Sequence, residues 1–220
     1  MAVHELFGLQ ATNPLGFMAA LGLLRVIEHN RTDTAERPTL AFASGGECHA
    51  KLQASLDAEE LTDLVLADAQ AQEYCPALGL AYTKDGDEVA PTNANAIRDL
   101  KPTPQHARQY LNRVAVKNRR SADLAASCFS ELVQQGSNAD RTKPTALHFT
   151  AGQQTFLSMV EDLRSGMTKD DVVEALYGPW LGASPLPSLS WDASGARMYA
   201  LRAKNPSTEK RGSVAAANWL

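Results

Sequence analysis

From Asn13 to His29 the chain reads NPLGFMAALGLLRVIEH, and a segment this apolar dictates much of what can be built around it. Asn13 suits an N-cap and Pro14 the first helical position. Leu15, Phe17, Met18, Leu21, Leu23, Leu24, Val26 and Ile27 then place apolar side chains on nearly every face of a helix, which predicts a buried one. Gly16 and Gly22 each cost roughly 1 kcal/mol relative to alanine inside a helix, so both predict close approach by a neighbouring backbone. A transmembrane reading fails, because Arg25, Glu28 and His29 arrive before the roughly 20 apolar residues a bilayer requires.

The segments around this helix predict alternating element types. Residues 3–9 read as a strand feeding it, TLAFAS as a second strand, and CHAKLQAS, after Gly45-Gly46, as the returning arm of a hairpin. Ser55 and Asp57 precede an amphipathic helix over 57–72 with Leu61, Leu64, Val65 and Ala69 at helical spacing. Residues 74–104, punctuated by proline and glycine, read as a long loop around the short strand LGLAYT. Thr103 and Pro104 open another helix through QHARQYLNRVAVKN. The next is expected from Ser121 to Gly136, with Leu124, Cys128, Leu132 and Val133 on one side. TALHFT follows as a strand, Thr150 caps a helix closed by Gly166, and Thr168 caps KDDVVEALYG with two aspartates in its first turn.

The expected class is therefore α+β, a small mostly antiparallel sheet with about five helices around a buried N-terminal helix. The polar stretch 137–144 is the best boundary between a part at 1–136 and another at 145–220, although one domain fits as well. Trp180 and Trp191, in a proline-rich segment, read as packing anchors of an irregular loop.

Charge is segregated along the chain. Between Asp57 and Glu88 nine acidic residues face a single base, Lys84, whereas between Arg98 and Arg120 seven bases face one acid, Asp99. The stretch from Ala193 to Leu220 adds Arg197, Arg202, Lys204, Lys210 and Arg211 against Glu209 alone. A basic region within a chain of net charge −4 fits local binding of a polyanion better than general adhesion. Arg113, Lys117 and Arg120 would line one face of a helix running unbroken through Asn118, and phosphate is the expected partner. A binding set follows: Arg113, Lys117, Arg119 and Arg120, with Arg202, Lys204, Lys210 and Arg211 as a second cluster.

Catalytic signatures are sparse. The sequence carries no HExxH, GxSxG or GxxxxGK[ST], and no DxD-type cluster beyond Asp85 and Asp87 in DGD. His148 is the histidine best placed for chemistry, but a packed histidine fits its position better. His49 reads as a surface or satisfied strand histidine. No catalytic residue, metal ligand or cofactor is expected. Three widely spaced cysteines, Cys48, Cys75 and Cys128, suit a reducing cytoplasm, and the N-terminal residues lack a secretion pattern.

The order of several short motifs adds a resemblance. NPLGFMAALGLLR, HFTAGQQTFL, ALYGPW, PSLSWD, RMYALRAKNPS and AANWL, taken together, resemble proteins encoded with type I-G (formerly I-U) CRISPR systems. The resemblance implies a subunit related to the antiviral effector complex, working beside guide RNA, target DNA and other CRISPR-associated proteins rather than by independent catalysis. In such complexes guide pairing selects sequence while protein subunits hold nucleic-acid backbones. Two other readings remain at this point: an adaptor docking a basic protein through its acidic 57–88 region, and a metal-dependent nuclease using His148.

Overall fold

In the computed structural model, the structure describes residues 1–30, 37–45, 48–71, 101–117, 119–136, 139–147, 156–192, 212 and 214–220. Seven helices and five strands lie among them, in an α+β arrangement with one three-stranded and one two-stranded antiparallel sheet. The chain groups into two units. One joins Met1–Gln70 to Asp162–Leu220, and the other comprises Ala71–Glu161.

In the first unit, β1 (Ala2–Gln10), β2 (Thr39–Phe42) and β3 (His49–Ala54) form an antiparallel sheet in the order β1-β3-β2. Alternation along β1 buries His4 and Leu6 on one face, and their partners Leu52 and Ala50 share that face. The helix α1 (Pro14–Asn30) packs against β1 and β2. Asn13 caps it as its position predicts, Oδ1 accepting from Leu15 N at 2.9 Å and Gly16 N at 3.4 Å. A Cβ on Gly16 would lie 2.8 Å from Gln10 O, and one on Gly22 would collide with the Leu220 carbonyl, so both glycines do mark backbone contacts.

The burial of α1 corrects the sequence expectation. Leu15, Ala19, Ala20, Leu23, Val26 and Ile27 are buried, but Phe17, Met18 and Leu21 are exposed. The helix therefore covers the sheet with one side only. Phe17 stacks on Phe42 across the sheet margin, with ring centroids 5.4 Å apart, and this removes part of its apolar surface from water.

Three further helices complete this unit. α2 (Ala58–Gln70) starts at a capping box in which Asp57 Oδ1 accepts from Glu59 N and Glu60 N, both at 2.9 Å, and Glu60 Oε2 accepts from Asp57 N at 2.8 Å. The helix Lys169–Tyr177 has an equivalent box between Thr168 and Asp171. The last, Ala215–Trp219, is held by Asn218, whose Oδ1 accepts from Leu189 N at 3.0 Å, and by Trp219 Nε1, which donates to Asp68 Oδ2 at 3.2 Å. The loop after Tyr177 is fixed by side chains, as the tryptophan content suggests. Trp180 Nε1 donates to Ala175 O at 3.0 Å, and Glu174 Oε1 accepts from Leu181 N at 2.6 Å and Gly182 N at 2.7 Å.

In the second unit, α3 (Pro104–Lys117) and α4 (Arg119–Cys128) pack on one another and are followed by a ribbon of β4 (Phe129–Val133) and β5 (Thr142–Pro144). A helix was expected through residue 136, but it stops at Cys128. FSELV carries aromatic and β-branched residues that suit a strand, and Leu132 and Val133, expected on a buried helical side, are exposed. The stretch read as a linker ends in a strand, β5, and just before it Arg141 O accepts from Gln134 N at 2.8 Å. The next strand is shifted accordingly. Residues 142–144 are extended, 146–147 form a turn, and 148–150 lie outside the described residues. α5 (Phe156–Gly166) follows, and its expected Thr150 cap also lies outside them. The LGLAYT strand and the loop over 74–100 are likewise not described.

Candidate nucleic-acid interface

The helix α3 is amphipathic with its polar side free of carboxylates. Thr103 Oγ1 accepts from His106 N at 3.2 Å, so the helix begins where the sequence signals it. His106, Ala107, Tyr110 and Val114 recur at steps of one to four and are buried. Gln105, Arg108, Gln109, Asn112 and Arg113 are exposed. The helix PQHARQYLNRVAVK contains no Asp or Glu, in a chain with 25 acidic residues against 21 Lys and Arg. That face therefore carries cations and amides with no carboxylate on the same helix.

Arg113 is oriented by its own helix. Its guanidinium carbon lies over the ring of Tyr110, three residues earlier, 5.5 Å from the centroid. The ring is 1% exposed, so it forms a fixed platform for the charge above it.

Lys117 closes α3, where a cation complements the helix dipole. Arg119 and Arg120 open α4, whose first turn has no acidic residue. The expected stripe of Arg113, Lys117 and Arg120 runs through Asn118, which lies outside the described residues. The side chains of Lys117, Arg119 and Arg120, and the second cluster of Arg202, Lys204, Lys210 and Arg211, lie outside the described residues. Sequence reasoning missed Arg108, Gln105, Gln109 and Asn112. Their signal was the i, i+4, i+7 spacing of Gln105, Gln109 and Asn112 opposite the apolar stripe.

The first unit presents a different polar group, on the face of its sheet opposite Leu6 and Leu52. There β1 places Val3 and Glu5 beside Gln53 and Lys51 of β3, and Phe7 reaches His49. Glu5 accepts from Lys51 Nζ at 2.8 Å and from His49 Nε2 at 2.5 Å, and these two partners hold its carboxyl below the usual range. Phe7, 50% exposed, rests on the His49 ring with centroids 4.5 Å apart. The Nδ1 of His49 is buried without a hydrogen-bond partner. Sealed in this way, His49 offers no open position for a reacting group. Among the described residues no set of three His, Cys, Asp or Glu could hold a metal ion, and His148 lies outside them.

The described acids of the acidic region make contacts within the fold. Asp57 and Glu60 cap α2, and Lys169 pairs with Asp63 at 2.7 Å and Glu59 at 3.3 Å. Asp68 is buried and accepts from Asn30 Nδ2 at 3.3 Å as well as from Trp219. Residues 72–88, the remainder of this run, lie outside the described residues.

Among the described residues no helix is long and apolar enough to cross a membrane. Comparison of the chain with protein-family models, curated proteins and solved structures finds no match.

Proposed function

We propose that this chain is a non-catalytic nucleic-acid-binding subunit of a type I-G-like CRISPR effector complex. It contacts the backbone of guide RNA or target DNA through the basic segment spanning α3 and the start of α4. The observation that carries the reading is the exposed face of α3, where Arg108 and Arg113 stand among amides and no carboxylate occurs on the helix. Such a face attracts phosphate through charge and holds it by hydrogen bonds from guanidinium and amide groups, without needing to bind a substrate for reaction. The order of short motifs from NPLGFMAALGLLR to AANWL supports the assignment to this kind of complex. Cysteines without close pairing suit work in the cytoplasm, and the two described, Cys48 and Cys128, are free thiols.

Fluorescence anisotropy of the full chain with single-stranded RNA, single-stranded DNA and duplex DNA of one sequence tests the reading. Saturable binding to at least one of them, with an affinity in the roughly micromolar range of backbone-driven binding, is the expected result. Absence of binding to all three at low salt would overturn it.

A further inference from the structure

The geometry points to α3 as a reading helix that enters the major groove of duplex DNA and contacts base edges through Gln105, Gln109 and Asn112. This inference rests on the nucleic-acid reading above and narrows it to one ligand class. At about 100° per residue, Gln105, Gln109, Asn112 and Val116 fall within about 30° of a common line along the helix. All four are exposed, and Val116, at 89%, is the most exposed large apolar side chain among the described residues. Arg108 and Arg113 lie about 70° to either side of that line. The helix thus carries two exposed glutamines, an asparagine and a valine along its crest, with a cation on each shoulder.

Each part of that order matches a feature of B-form DNA. Major-groove edges offer paired donors and acceptors that Asn and Gln meet bidentately at adenine, while an exposed aliphatic group suits the methyl of thymine. The flanking arginines would face the two phosphate strands that border the groove. From Gln105 to Asn112 the crest rises about 10 Å, which spans about three base pairs at 3.4 Å each. A-form RNA duplexes have a major groove too deep and narrow for this approach, so the arrangement favours DNA. The core does not require these residues, because the buried stripe of His106, Ala107, Tyr110 and Val114 lies on another side. Charge complementarity supplies the occupant: a helix with no carboxylate and cations on both shoulders fits a polyanion groove.

Selection from a randomised duplex library with the full chain tests the inference, followed by measurement of Gln109→Ala, Asn112→Ala and the double variant on the enriched sequence. The wild type is expected to enrich a motif of about three base pairs. Each single variant should lose discrimination at one position by tenfold or more, with an unchanged dependence of affinity on salt. Arg108→Ala should weaken binding to all sequences alike and lower the salt slope by about 1. All the altered side chains are exposed, and a circular dichroism melt of each variant superimposing on wild type confirms an intact fold. Duplex binding without any enriched motif would overturn this inference while leaving backbone binding standing. So would a double variant that keeps the wild-type motif, or a preference for single strands. Failure to bind any nucleic acid would overturn both readings.

Discussion

The guanidinium of Arg113 lies over the Tyr110 ring, Cζ 5.5 Å from the centroid, and the ring beneath it is buried. A charge held in place before binding loses less side-chain freedom when phosphate arrives, a saving of about 0.5–1.5 kcal/mol for a long side chain. Arg113→Lys keeps the charge but gives up the planar stack. We expect its affinity for nucleic acid to fall about threefold to tenfold, whereas Tyr110→Phe, which keeps the ring, stays within about twofold of wild type. Titration of both variants against one oligonucleotide checks this.

The close approach of Gly22 to Leu220 predicts a stability cost for a side chain at residue 22. Alanine would raise helix propensity by roughly 1 kcal/mol, but its Cβ would collide with a backbone carbonyl rather than a yielding side chain. The segment that carries Trp219 and its bond to Asp68 would have to move. A net loss of about 1–3 kcal/mol is expected for Gly22→Ala, read from urea unfolding. An unchanged or raised midpoint would contradict the contact.

Much of the first unit was legible because its signals are local. Asn13, Asp57 and Thr168 each cap a helix that the sequence alone locates, and the TLAF and HAKLQA strands pair as their alternation suggests. The sidedness of α1 was not legible. Phe17, Met18 and Leu21 are as apolar as the buried residues beside them, and only the three-dimensional arrangement decides which side faces the sheet. The helix expected through residue 136 failed for a related reason. Leu132 and Val133 sit at helical spacing from Cys128, yet pairing of β4 with β5 outweighs that periodicity. At the candidate interface the net run of bases was visible, but the uncharged Gln109 and Asn112, which share the exposed face with Arg113, leave no mark on the charge pattern.

Glu5 links stability to pH. Its carboxyl titrates below 4.5 in the folded chain because Lys51 and then His49 hydrogen-bond its charged form. A lowered folded-state value means that the stabilisation is present above the unfolded value and is lost as pH falls through the folded one. Wild-type melting temperature should therefore drop on acidification below about pH 4.5, and Glu5→Gln should show a shallower drop over that interval. Melts from pH 7 to pH 3 on both proteins test the point, and parallel curves would contradict it.

Burial pushes the Cys128 thiol up to about 11, and Ser127 only partly counters the shift. Its thiolate is scarce near neutral pH and sealed from reagents. Brief treatment with iodoacetamide at pH 8 should therefore leave Cys128 unmodified in the folded chain, with labelling appearing once urea is added. Peptide mass spectrometry resolves the site, and rapid native labelling of Cys128 would show that α4 opens readily.

Salt dependence tests the central claim most directly. Binding that neutralises phosphates releases counterions, so the logarithm of the affinity falls with the logarithm of salt concentration by about 0.9 per phosphate contact on duplex DNA. The measurement is that slope between about 50 and 200 mM salt for wild type and for the combined charge reversal Arg113→Glu, Lys117→Glu and Arg120→Glu. The account predicts a steep wild-type slope, and for the variant an affinity at least tenfold weaker with a slope lower by about 2–3. A variant with the affinity and slope of wild type would contradict binding through the α3–α4 segment.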